Sequence, residues 1–99
     1  MRVVFANAAE ADLEEIGDYI ARDNARRALT FVRELRARAQ DIGSMPRSFP
    51  LVRRYEHHGI RLCPHGNYLI FYRVEDDRVS IVHILHGARD YEALLFPAE

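Results

Sequence analysis

The sequence predicts an α+β domain in the order β-α-α-β-β-β, an antiparallel helical hairpin packed on a small, mainly antiparallel sheet. Three observations predict it. Apolar residues recur at helical spacing up to residue 42, residues 60–85 hold three short apolar runs parted by turn residues, and an irregular stretch divides the two halves. A length of 99 residues, 48% hydrophobic and 29% charged, suits one globular domain over residues 1–99 and excludes collagen-like and disordered classes.

Residues 3–6 (Val-Val-Phe-Ala) read as a short strand. Asn7, followed three residues later by Glu10, has the spacing of a capping box, so a helix is expected over residues 8–22. Leu13, Ile16 and Ile20 set one apolar stripe on it, while Glu10, Asp12, Glu14, Glu15 and Asp18 place negative charge where the helix dipole favours it. Asp23-Asn24 is a polar break, with Asn24 placed to cap a second helix. There Ala28, Val32, Leu35, Ala39 and Ile42 repeat at spacings of 4, 3, 4 and 3, and Gly43 is expected to end the helix. So short a junction makes the two helices antiparallel.

Residues 44–59 contain two prolines, a glycine and scattered charges, an irregular connection longer than compact domains usually carry and therefore a candidate for function. The runs 60–63, 68–74 and 79–85 are expected strands of an antiparallel meander, with Pro64-His65-Gly66-Asn67 and Glu75-Asp76-Asp77-Arg78 as its turns. Tyr68-Leu69-Ile70-Phe71-Tyr72 is apolar on both faces, which a central strand explains better than an edge strand. Residues 90–96 suit one helical turn carrying Leu94, Leu95 and Phe96.

Charge and composition narrow the chemistry. All 14 basic residues are Arg, so a lysine base, Schiff base or phosphate-loop lysine is excluded. The net charge of −1 gives the whole chain no general attraction to nucleic acid, and no direct DNA binding by the protein alone is expected. The charge is uneven, however: residues 1–25 hold 2 Arg and 6 acids, residues 26–61 hold 9 Arg and 3 acids, and residues 62–99 hold 3 Arg and 6 acids. A single cysteine, Cys63, excludes an internal disulfide, and with no Cys/His zinc pattern a reducing cytoplasm is the expected compartment. No stretch has a signal-peptide core or the length of a membrane span, so no membrane partner is expected.

A resemblance emerges from specific residues. Ala11-Asp12-Leu13-x-x-Ile16-x-x-Tyr19-Ile20, the Asn24 helix junction, the Pro46 turn, Tyr68-Leu69-Ile70-Phe71-Tyr72-Arg73-Val74, and Ile84-Leu85-His86-x-x-Arg89-Asp90 together resemble the RelE/ParE superfamily of bacterial type II toxins, closer to ParE. The resemblance runs end to end, and the closing His-x-x-Arg-Asp is its most specific part. It implies a toxin that inhibits DNA gyrase by binding, without catalytic residues or a cofactor, and that a ParD-like antitoxin neutralises in a hetero-oligomeric complex. For the antitoxin, Leu13, Ile16, Ile20, Val32 and Arg36 are candidate contacts; for the target, Arg89, Tyr91, Leu94, Leu95 and Phe96.

The alternative implied by the superfamily is a ribosome-dependent mRNA endonuclease, and a third reading is an inactive toxin-like binding module. Cleavage of RNA needs a base, an acid and cations clustered at one phosphate. Arg61, Arg73, His83 and Arg89 are the residues that would supply them. His83 and His86 lie three apart in a strand, on opposite faces, and are expected to be structural, each satisfying a backbone or carboxylate partner. His57, His58 and His65 fall in loops, and no metal site is expected. Arg89 and Asp90 suit an ion pair that pins the tail. The arginines of helix two, Arg26, Arg27, Arg33, Arg36 and Arg38, suit a solvated face with Glu34 and Asp41 as partners, or a docking surface for an acidic segment.

Overall fold

The computed structural model describes residues 1–97. Residues 98 and 99, the end of the domain expected over 1–99, lie outside them. The elements are β1 (Arg2–Phe5), α1 (Asn7–Ala21), α2 (Ala25–Asp41), β2 (Ile60–His65), β3 (Tyr68–Val74), β4 (Arg78–His86) and α3 (Tyr91–Leu95), with 3-10 turns at Ile42–Ser44 and Glu56–His58. The four strands form one mixed sheet in the order β1-β4-β3-β2. Strand β1 runs parallel to β4, pairing Arg2–Phe5 with Arg78–Ile81, and the other pairs are antiparallel. The expected order and the central place of Tyr68–Val74 agree with this sheet.

Local chemistry explains the elements and three departures from expectation. The ladder runs one residue past β1, because Ala6 N–H donates to Ile81 O at 2.9 Å. Ala6, extended at ψ 156°, is therefore the N-cap of α1, and its carbonyl accepts from Glu10 N–H at 3.1 Å. Asn7 lies inside the helix and no side chain caps this end, so the expected capping box does not form. Glu10 turns instead to Arg36 of α2, in a two-pronged pair at 2.7 and 3.2 Å. Asn24 does cap α2, its Oδ1 accepting from Arg27 N–H at 2.9 Å.

Gly43 does not stop α2, which ends at Asp41 and tightens into the 3-10 turn. Its role is close approach: a Cβ there would lie 2.3 Å from the Met1 carbonyl oxygen, while the Met1 ammonium donates to Gly43 O at 2.8 Å. The β2–β3 turn is shorter than expected. Pro64 and His65 remain in β2, and Gly66, at φ 58°, makes the turn with Asn67.

Two apolar layers hold the sheet. On one face Leu13 and Ile16 of α1, Leu35 and Ala39 of α2, and Ile42 meet Cys63, Ile70, Tyr72, Val79, Ile81 and Ile84. On the other, Phe71, Leu85 and Ile60 are covered by Val52 of the long connection and Phe96 of the tail. The buried Tyr72 hydroxyl donates to Pro46 O at 2.7 Å, fastening the start of that connection to the sheet.

Candidate functional site

The helical hairpin and the sheet diverge at one end, and there the structure opens a cleft of about 760 Å³. One wall is the second half of α1, with Ile16, Tyr19 and Ile20, joined by Arg27 and Phe31 from the first half of α2. The other is Tyr68 of β3 with Ile84, Leu85 and His86 at the end of β4, and Arg89 stands beyond them. Aromatic contacts set its lining. Phe31 packs against Tyr68 at a centroid separation of 5.5 Å, Tyr68 meets His86 edge-on at 5.2 Å, and the Arg27 guanidinium lies 5.0 Å from the centre of the Phe31 ring. Burial pushes the Tyr68 phenol above its ordinary pKa, so it stays neutral there.

The cleft exists because β1 is short. It pairs with Arg78–Ile81 alone, leaving the second half of β4 without a strand on that side. Asp12 of α1 takes the missing place: its Oδ2 accepts from Ile84 N–H at 2.8 Å and lies 2.7 Å from His83 Nδ1. A side-chain carboxylate thus closes the ladder where the backbone neighbour stops. His86 accepts from Ala88 N–H through Nδ1 at 3.0 Å, so each of the two histidines has a local structural partner. The register sets His83 opposite Phe71 and His86 opposite Tyr68, members of different apolar layers, and the one irregularity in that ladder falls between the His83–Phe71 and Ile81–Tyr72 pairs.

The five residues expected to meet an antitoxin divide. Ile16 and Ile20 line the cleft, whereas Leu13, Val32 and Arg36 border a shallower groove of about 680 Å³ on the outer side of the hairpin. Leu13 is only 1% exposed and belongs to the core, as helical periodicity ordinarily implies. Sequence reasoning does not single out Tyr19, Phe31 and Tyr68 as site residues. Phe31 continues the apolar stripe of α2, three residues after Ala28 and four before Leu35, so its spacing reads as core and gives no separate signal of a site.

The four residues expected to serve RNA cleavage are dispersed. Arg61 is registered with Tyr72 of the helix-side layer and Arg73 with Ile60 of the opposite layer, so their side chains leave opposite faces of the sheet. Arg61 donates to Phe49 O at 2.7 Å, Arg73 to His58 O at 3.4 Å, and His83 is held by Asp12. Arg89 stands at the cleft rim.

Among the five expected target contacts, Tyr91 packs on Phe71 at 5.1 Å and Leu95 is partly buried in the same layer. Phe96 is 4% exposed and stacked on Tyr55 at 4.1 Å and 5°, while Leu94 is 44% exposed. The Arg89–Asp90 ion pair does not form. Asp90 caps α3 by accepting from Ala93 N–H at 3.4 Å, and among the described residues no acid pairs with Arg89. Of that group, Arg89 and Leu94 remain open to a partner. On helix two, Glu34 pairs with Arg27 at 2.6 Å, and Arg36 finds its acid on α1 rather than on its own helix.

No group of three or more His, Cys, Asp or Glu among the described residues is placed to hold a metal ion. No described helix is long and apolar enough to cross a membrane.

Comparison with known proteins places this geometry. The family described as "ParE toxin of type II toxin-antitoxin system, parDE" matches residues 3–91. Among solved structures, the chain is similar to one in the chromosomal ParDE TA system from P. aeruginosa, with 21% identity, 87% of this chain and 95% of that chain covered, and a TM-score of 0.72. It is also similar to one in the toxin-antitoxin complex RelBE2 from Mycobacterium tuberculosis, with 25% identity, 86% and 95% coverage, and a TM-score of 0.63. Both share the helices packed on a four-stranded mixed sheet. No curated protein matches the chain.

Proposed function

The chain belongs to the ParE toxin family of type II toxin-antitoxin systems, and on that footing we propose that it inhibits growth by binding DNA gyrase and is neutralised by a ParD-like antitoxin. The gyrase half of the reading rests on the family. The antitoxin half rests on one observation, the open cleft between the hairpin and the unflanked end of β4, apolar within and rimmed by the unpaired Arg89. An amphipathic segment that folds as it binds would place apolar side chains against Ile16, Ile20, Phe31 and Tyr68 and an acidic one beside Arg89.

Such a toxin needs no catalytic residue, which agrees with the dispersal of Arg61, Arg73, His83 and Arg89 and with the engagement of the first three in the fold. Gyrase works on cytoplasmic DNA, so the reading places the protein in the cytoplasm.

Purified chain added to gyrase, ATP and supercoiled plasmid should accumulate cleaved DNA held by gyrase, and a saturating cognate antitoxin should abolish the effect. In cells, induction should raise the DNA-damage response before any bulk loss of mRNA. Codon-specific mRNA cuts on translating ribosomes, lost on Arg61→Ala or His83→Ala, would overturn the reading in favour of the endonuclease. Absence of both effects, with antitoxin binding intact, would leave the inactive binding module.

A further inference from the structure

The net charge of −1 conceals an uneven distribution. Residues 45–65 contain four arginines and one acid, Glu56, whereas the β3–β4 turn carries Glu75, Asp76 and Asp77. At that acidic end the arginines are matched, Arg78 with Glu75 at 2.7 Å and Arg2 with Asp77 at 3.8 Å. Along the β2 edge they are not.

Two half-buried guanidiniums fix the long connection to that edge. Arg61 donates to Phe49 O at 2.7 Å, and Arg73 donates through Nε and Nη2 to His58 O, both at 3.4 Å. Between those anchors the backbone lies along β2, with Val52 N–H donating to Ile60 O at 2.8 Å and Leu62 N–H to Pro50 O at 3.0 Å. The connection is therefore an ordered flank of the sheet. On it stand Arg47, Arg53 and Arg54, exposed and without an acidic partner among the described residues. Arg54 has φ 74°, a left-handed conformation that a non-glycine residue keeps only where its surroundings impose it.

We propose that this β2 edge binds the sugar-phosphate backbone of duplex DNA. Several unpaired guanidiniums spread along an open edge fit a repeating anion better than a single small one. Because the loop is already ordered, little backbone entropy is lost on binding. No helix projects from this edge to enter a groove, so the interactions fall on phosphates and recognition is independent of sequence. The choice of DNA over RNA rests on the gyrase reading, since the proposed target holds duplex DNA. A patch of this size on a chain of net charge −1 binds weakly and is sensitive to salt. The proposal departs at this one edge from the expectation of no direct DNA binding, which rests on net charge alone.

The test is anisotropy of a short labelled duplex of arbitrary sequence, titrated with the full chain at several salt concentrations. Binding should weaken linearly on log–log axes. A variant combining Arg47→Ala, Arg53→Ala and Arg54→Gly should lower the slope by about 2.7, at about 0.9 for each phosphate no longer neutralised. Glycine at 54 suits the left-handed backbone, and an unchanged melting temperature certifies the fold. Arg2→Ala with Arg78→Ala, at the acidic end, should leave the slope unchanged. An unchanged slope in the triple variant, equal losses in both variants, or tighter binding of single-stranded RNA than of duplex would each overturn the proposal. Failure of the gyrase reading looks different: wild-type protein would bind duplex through these arginines yet trap no cleaved DNA on gyrase.

Discussion

The two faces of the sheet are covered in different ways. Helices of 15 and 17 residues cover one face with a repeating stripe, so each buried side chain there follows from its spacing along a single element. The other is closed by pieces distant in sequence: Val52 and Tyr55 from the connection, and Tyr91, Leu95 and Phe96 from the tail. Their closure centres on the parallel stack of Tyr55 and Phe96, with His58 a further 4.6 Å from the same ring. A stripe distributes its burial over many residues of a rigid hairpin, whereas a cover assembled from loop and tail depends on one ring staying in place. The first face should therefore open only with the whole protein, and the second should open locally.

The largest expected effect lies on the helical face. Leu35→Ala, at a fully buried position between α2 and the sheet, should cost about 2 to 5 kcal/mol, read as a lowered midpoint in urea with an unchanged slope. Phe96→Ala should cost less, about 1 to 2 kcal/mol, because the five-residue α3 can undock without dismantling the sheet. Equal losses in the two variants would erase the distinction between the faces. Cys63 sharpens it. The thiol is buried in the helix-side layer, and burial pushes its pKa up, so a thiol reagent reaches it only through opening of that layer. Leu35→Ala should speed labelling greatly, whereas Phe96→Ala should leave the rate close to that of the unmodified protein.

Asn24→Ala, which removes the cap of α2, should cost about 1 kcal/mol, again on the helical side. The smallest effect belongs to the exposed Glu10–Arg36 pair, worth about 0 to 1 kcal/mol. The Arg36 guanidinium holds the Glu10 carboxyl below its ordinary pKa of 4.5, so the contribution is present above that value and lost as the pH falls through the lower folded one. Arg36→Ala should therefore lose its small effect in acid, as thermal melts at neutral and acidic pH would show.

The same contrast explains how much was legible in the sequence. Spacing located α1, α2 and the three meander strands, because one period repeats through each, and the doubly apolar Tyr68–Val74 run marked the central strand. The resemblance, rather than spacing, implied Ile16 and Ile20 as antitoxin contacts and Arg89 as a target contact, and all three line the same cleft. Two things escaped. The capping box failed because backbone pairing of Ala6 with β4 had already fixed where the strand ends and the helix begins, a tertiary contact that overrides a local signal. The cleft as a place was invisible, because it arises from unequal strand lengths and from Asp12 standing in for a backbone neighbour, and neither leaves a periodic trace.

Strand β1 has one more consequence. Its partner is the first half of β4, so the first strand of the sheet to leave the ribosome must wait for the last. The hairpin can form early from local contacts, but β1 pairing requires Arg78–Ile81 and the cleft requires Ile84 and Arg89. Completion of the domain therefore waits until β4 and Arg89 have been made. On the proposed reading, an antitoxin segment that recognises the finished cleft has nothing to hold until β4 has been made, because Ile84, Leu85 and His86 line it and Arg89 follows.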